Sequence, residues 1–263
     1  MTERQVAVNE NLRRLVDLSA PYWAGEAEVA WTYFQSPRRT KKSDLTWLAR
    51  QCFKELWGSG VGDRKKGLFL GPVDYLRKVY PKIDRGVSRH EVLEVIDGLR
   101  AEFHHYCLFA DVHDHLSGRR LDPRQVKSWP ADDELARLRY AYRARRGRLG
   151  YFAVRFTEGG YCTLYSTGMR LKGTGELNDR IAAACEKVYT DEIGHMREGF
   201  IGLSREKLAR AEWDEIGAMI RKILMQRIHM RNEQFGVPLP AARVREIEAG
   251  RIEPLAFDYT GLE

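Results

Sequence analysis

An all-α helical bundle is the fold class this 263-residue sequence predicts. Alternating runs of β-branched residues, the mark of half-buried strands, are nearly absent. Apolar residues recur instead at the i, i+3, i+4 spacing of one helix face. Glycine and proline fall between those segments, in GSGVGD (58–63), LSGRRLDP (116–123) and LKGTGELN (171–178).

The elements follow in order. A helix over 20–36 carries the stripe Tyr22, Val29, Ala30 and Tyr33. A second spans 43–57, with Asp44 as its N-cap, and a short third spans 72–80. Ser88-Arg-His-Glu91 is a capping box that opens a long helix over 88–117. Two further helices are expected over 132–146 and 149–172. The next runs over 177–201 with Asn178 as N-cap, and the last over 205–235 ends at Gly236-Val-Pro238. The charged tail after about residue 241 is expected on the surface. No repeat, low-complexity tract or break in composition divides the chain, so residues 1–263 are expected to form a single helical domain.

Forty-four Lys and Arg against 37 Asp and Glu leave a net charge of +7 and a pI near 9.2, which permits an anionic partner. The basic clusters RRTKK (38–42) and RARRGR (143–148) lack the interleaved aromatics of a single-strand nucleic-acid surface and read as solvated faces. No run approaches the roughly 18 apolar residues of a membrane span, and Met1 to Glu10 is polar, unlike a signal peptide. A cytoplasmic protein with no membrane association is therefore expected. Cys52, Cys107, Cys162 and Cys185 form no CxxC pair and read as reduced, buried residues.

The chemistry concentrates in RAEFHHYCLFADVHDHL (100–116), where histidines and carboxylates interrupt an apolar helix. Burying such groups is costly unless they are paired or bound to metal. Glu102 and His105 share a face, as i and i+3 residues do. The same spacing returns in VYTDEIGHMREG with Glu192 and His195, and Glu158 lies on the stripe Val154, Tyr161, Cys162 and Tyr165. Glu158 lies 14 residues before the turn at Lys172 and Glu192 lies 15 after Leu177. At about 1.5 Å per residue, an antiparallel hairpin would bring the two carboxylates level.

Glu-x-x-His on two helices, with glutamates from others, resembles the non-haem di-iron carboxylate oxidases and oxygenases of the ferritin-like superfamily. The likeness covers roughly residues 88–201. It implies a ligand set of Glu102, His105, Glu158, Glu192 and His195 holding two Fe ions, or Mn with the same donors, and O2 as co-substrate. It also implies a small-molecule substrate, an external electron donor and, as one arrangement, a homodimer. A ferritin-like bundle needs one more carboxylate; Glu26, on the apolar face of the first helix, is the candidate. The layout also resembles the haem-oxygenase-like di-iron oxidases, where Asp191 would supply the extra ligand. The implied function is an O2-activating oxidase or oxygenase. A ferritin-like iron-binding ferroxidase and a di-iron tRNA hydroxylase are the alternatives. Gly159 and Gly160 would leave room beside the metals, and Arg155 and Arg170 would hold an acidic substrate group.

Overall fold

The computed structural model describes residues 10–58, 71–157 and 163–258. Among them the chain is helical throughout, with no strand and one isolated bridge between Ile83 and Val87. Helix α1 spans Glu10–Phe34 and α2 spans Lys41–Phe53, running on into a π-helical turn at Lys54–Gly58. Then come α3 (Pro72–Val79), α4 (Arg89–Ser117), α5 (Pro130–Thr157) and α6 (Thr163–Met169). Helices α7 (Glu176–Ser204), α8 (Arg210–Phe235) and α9 (Ala241–Glu248) complete the fold.

Several boundaries differ from expectation for identifiable reasons. Helix α1 begins ten residues early and continues through Pro21. Interior proline costs about 3 kcal/mol, but Leu12, Leu15 and Val16 are buried before it, and each such side chain contributes roughly 1.5–3 kcal/mol. Thr40, not Asp44, caps α2, in a reciprocal box with Ser43. Ser88 caps α4 through the His90 amide, but Glu91 bonds the Tyr75 hydroxyl, so the expected box is only half formed. Helix α7 starts at Glu176, and Asn178 instead donates to the Thr174 hydroxyl. The tail does not lie wholly on the surface: Ile247 of α9 is buried against Gly25, and Phe257 stacks on Trp23 and Phe200.

Helix α4 lies against both α2 and α7, and α5 packs between α7 and α8, while α1 runs along α8. The core is strongly aromatic, with Trp23, Tyr33, Trp47, Phe109, Phe156, Phe200 and Phe235 essentially inaccessible. Two glycines set the geometry near the site. Gly147, at φ 51°, divides α5 into two arms. At Gly199 a Cβ would fall 2.3 Å from the Phe156 amide nitrogen, so α7 and the end of α5 touch backbone to backbone one turn beyond His195. No helix among the described residues is long and apolar enough to cross a membrane.

Candidate metal centre

The site forms where α4, α7 and the π-helical turn meet. Helix α4 presents Glu102 and His105 on one face, and α7 presents Glu192 and His195 in the same spacing. The turn after α2 supplies Glu55. Two groups result, each with its ligand atoms within 4.8 Å of one another: Glu55, Glu102 and His105, and Glu102, Glu192 and His195. Glu102 belongs to both. Glu192 also reaches both histidines, with Oε1 3.8 Å from His105 Nδ1 and Oε2 3.3 Å from His195 Nδ1.

His105 tests whether the cluster fits a cation. Its side chain is fully buried, and Nδ1 has no hydrogen-bond partner among the described residues. Yet Glu55 Oε2, Glu102 Oε2 and Glu192 Oε1 each stand 3.8 Å from that nitrogen. This is too long for a hydrogen bond and suits donors surrounding an ion at the usual bond lengths of roughly 2.0–2.2 Å. Imidazole and carboxylate donors without thiolate suit iron or manganese.

The ring's other nitrogen is already engaged. His105 Nε2 lies 3.2 Å from Asp191 Oδ2, and Lys187 donates to both Asp191 oxygens at 2.7 and 3.0 Å. Asp191, expected as an extra ligand, lies outside both groups and contacts His105 on the side away from them.

Glu26, the other candidate for an extra ligand, also lies outside both groups. It is buried, and its oxygens accept from Arg227 at 2.8 and 3.0 Å and from Arg231 at 2.7 Å. Burial would raise its pKa, but the two guanidiniums outweigh that and hold it at about 2. Two guanidiniums already neutralise this carboxylate, so its burial does not call for a cation. The carboxylate that joins Glu102 and His105 in the first group is Glu55.

Glu55 extends the stripe Trp47, Leu48, Gln51 and Cys52, all buried. That signal was available in the sequence, but GSGVGD directly after it reads as a fraying helix end. The π-helical turn, a recurrent feature of functional sites, is pinned on both sides. Lys54 ion-pairs with Asp132 in the first turn of α5 at 3.1 Å, while Glu55 Oε1 accepts from Gln51 at 2.5 Å and from Tyr165 at 3.3 Å. Gln51 in turn accepts from Arg231, so the Glu26 cluster supports Glu55 through hydrogen bonds without joining the centre.

Electrostatics describe a site that holds protons where a cation would sit. Burial pushes Glu55 up to about 7 against the pull of His105. Burial opposes charge on His105, but Glu102, Glu55 and Glu192 overcome it and raise the ring to about 9. His195 is likewise raised, burial being outweighed by Glu192, and Glu192 is held at about 2 by His195, His105 and Arg155 despite burial.

Glu158, with Gly159, Gly160, Tyr161 and Cys162, lies outside the described residues. Of the two expected arginines, Arg155 is bound to Glu198 and Tyr151 at 3.0 and 3.1 Å, and Arg170 lies 3.7 Å over the Trp31 ring. His113 bonds Asp114 and His229 bonds Glu248. Neither joins the cluster.

No protein-family model, characterised protein or solved structure matches the chain. What the fold and the site define together is an all-α bundle with a carboxylate–histidine cluster able to bind metal.

Proposed function

We propose that the protein is an O2-activating non-haem di-iron oxidase or oxygenase acting on a small organic substrate. The observation that carries this reading is His105 Nδ1, buried without a hydrogen bond and ringed by three carboxylate oxygens, in a cluster that shares Glu102 with a second group. Glu55, Glu102 and His105 would hold one ion and Glu102, Glu192 and His195 the other, with Glu158 of the same motif as a further ligand. Two ferrous ions held there would supply the electrons to reduce O2, and so the oxidising power for removing hydrogen from, or adding oxygen to, a bound substrate.

The chain's own residues supply the rest. Asp191 keeps the proton of His105 on Nε2, leaving the Nδ1 lone pair for metal. Gln51 and Tyr165 hold one oxygen of Glu55, which leaves Oε2 facing the site. Phe109, one turn beyond His105 and fully buried, excludes water from the closed end. At the other end, the Glu102 and His195 side chains are 17% and 22% exposed, which gives O2 and substrate an approach.

The test is metal analysis of anaerobically iron-loaded protein followed by exposure to O2. About two iron ions per chain and O2 consumption are expected. Failure to retain iron would remove the basis of the reading. The tRNA-hydroxylase reading has one observation in its favour, an open groove of about 660 Å³ bordered by Lys41, Lys42, Arg50 and Lys127. Salt-dependent binding of RNA, lost on reversing two of these charges, would support it.

A further inference from the structure

Each oxidisable ring on one line through the core has its proton held by a carboxylate. The Tyr165 hydroxyl donates to Glu55 Oε1 at 3.3 Å. Tyr165 stacks on Phe109, with centroids 6.2 Å apart, and Phe109 meets Trp47 edge to face at 6.3 Å. The Trp47 indole donates to Asp44 Oδ1 at 2.9 Å. Phe235 then lies 5.6 Å from Trp47 and 4.6 Å from Tyr33, whose hydroxyl donates to the same Asp44 oxygen at 2.8 Å. Arg39 Nε donates to both Asp44 oxygens from the outside, at 2.9 and 3.1 Å, below the exposed cap of α2.

We infer that Tyr165, Trp47 and Tyr33 form a redox relay that carries one oxidising equivalent from the metal site to the base of α2. This rests on the di-iron reading above, because the oxidant is the O2-oxidised iron centre. Packing alone does not require these residue types, since phenylalanine fills the intervening positions. A phenol or indole that loses an electron becomes strongly acidic, and a base within hydrogen-bond reach takes up the proton. All three oxidisable rings have that base, and the two phenylalanines between them have no proton to give.

The steps balance. Tyr165 gives one electron to the oxidised centre, lowering its oxidation level by one, while its O–H bond breaks and the proton passes to Glu55 Oε1. Trp47 gives an electron to the Tyr165 phenoxyl radical, which recovers its proton from Glu55. Tyr33 gives an electron to the oxidised Trp47 and its hydroxyl proton to Asp44. The net change is one electron moved from Tyr33 to the centre and one proton moved from Tyr33 to Asp44. The function this gives is removal of one oxidising equivalent from the centre, held on Tyr33 as a radical, when no substrate is bound.

The test is electron paramagnetic resonance on iron-loaded protein, freeze-quenched after mixing with O2 without substrate, using deuterated tyrosine or tryptophan to assign the signal. Wild type should give an organic radical assigned to tyrosine. In Tyr165→Phe the radical should fall to the background of metal-free protein. In Trp47→Phe it should be confined to Tyr165, and in Tyr33→Phe it should acquire indole character. Thermal unfolding and iron content identify any variant that fails to fold, and Tyr33→Phe, farthest from the metals, gives a second readout. Iron oxidation with normal O2 uptake but no radical in wild type would overturn the relay alone. So would a radical of equal yield in Tyr165→Phe. Absence of iron binding or O2 uptake would overturn the di-iron reading, and the relay with it.

Discussion

His105 Nε2 lies 3.2 Å from Asp191 Oδ2, and this single contact turns the ring's Nδ1 toward Glu55, Glu102 and Glu192. It ties α4 to α7 at the level of the site. Lys187 holds the Asp191 carboxylate in turn, so the orientation is set by a chain of three side chains on two helices.

Asp191→Asn should therefore lower metal affinity by about 10- to 100-fold without unfolding the protein, as loss of a partner behind a ligating histidine commonly does. An asparagine fills the same volume but cannot be relied on to accept from Nε2–H. Competitive metal titration measures the change; unaltered affinity would show that His105 needs no support from behind.

The shared position of Glu102 separates its role from that of its neighbours. Glu102→Ala should remove or weaken both metal ions, whereas His195→Ala should lose one and retain the other. Glu55→Ala should also lose one, from the His105 side. Elemental analysis of each loaded variant decides the matter. Two ions retained in Glu102→Ala would exclude a shared ligand.

Metal binding should release protons. Metal-free His105 is raised to about 9 and Glu55 to about 7, so around neutral pH both carry protons that a cation must displace. Affinity should climb between pH of about 7 and about 9 and level off above. Calorimetry in buffers of different ionisation enthalpy counts the protons; affinity flat across that range would contradict the coupling of these groups to the site.

The motif residues were legible because helical periodicity is local: Glu102 with His105, and Glu192 with His195, share faces whatever the rest of the chain does. Glu26 and Glu55 show where this stops. Both are glutamates on apolar helical faces, and the sequence favours Glu26, which sits in mid-helix. Their roles depend on what lies opposite, and that is a tertiary fact. Arg227 and Arg231 are some 200 positions from Glu26, and the π-helical turn that presents Glu55 has no strong sequence signature. Asp191 shares a helix turn with Glu192, but its offset of one residue directs it to His105 Nε2 rather than toward Nδ1, which the sequence alone does not disclose.

The Glu26 cluster leads to a prediction about stability. With its carboxyl held at about 2 against an ordinary value of 4.5, Glu26 binds its proton less readily in the folded than in the unfolded chain. A group depressed in this way contributes stability that is fully present above about pH 4.5 and is lost as pH falls toward about 2. Wild type should lose stability steeply across that window. Glu26→Gln should be less stable at neutral pH and should show a shallower acid dependence there. Glu26→Ala should be worse, because it leaves two buried guanidiniums without their anion, a change that typically costs about 3–5 kcal/mol and should lower Tm by roughly 10 °C. Because Arg231 also donates to Gln51, which holds Glu55, the same variant should loosen the metal site while leaving every ligand in place. Thermal unfolding from pH 2 to 7, read beside metal affinity at neutral pH, measures both effects. An unchanged acid profile in Glu26→Gln would show that Glu26 is not the group whose protonation destabilises the fold.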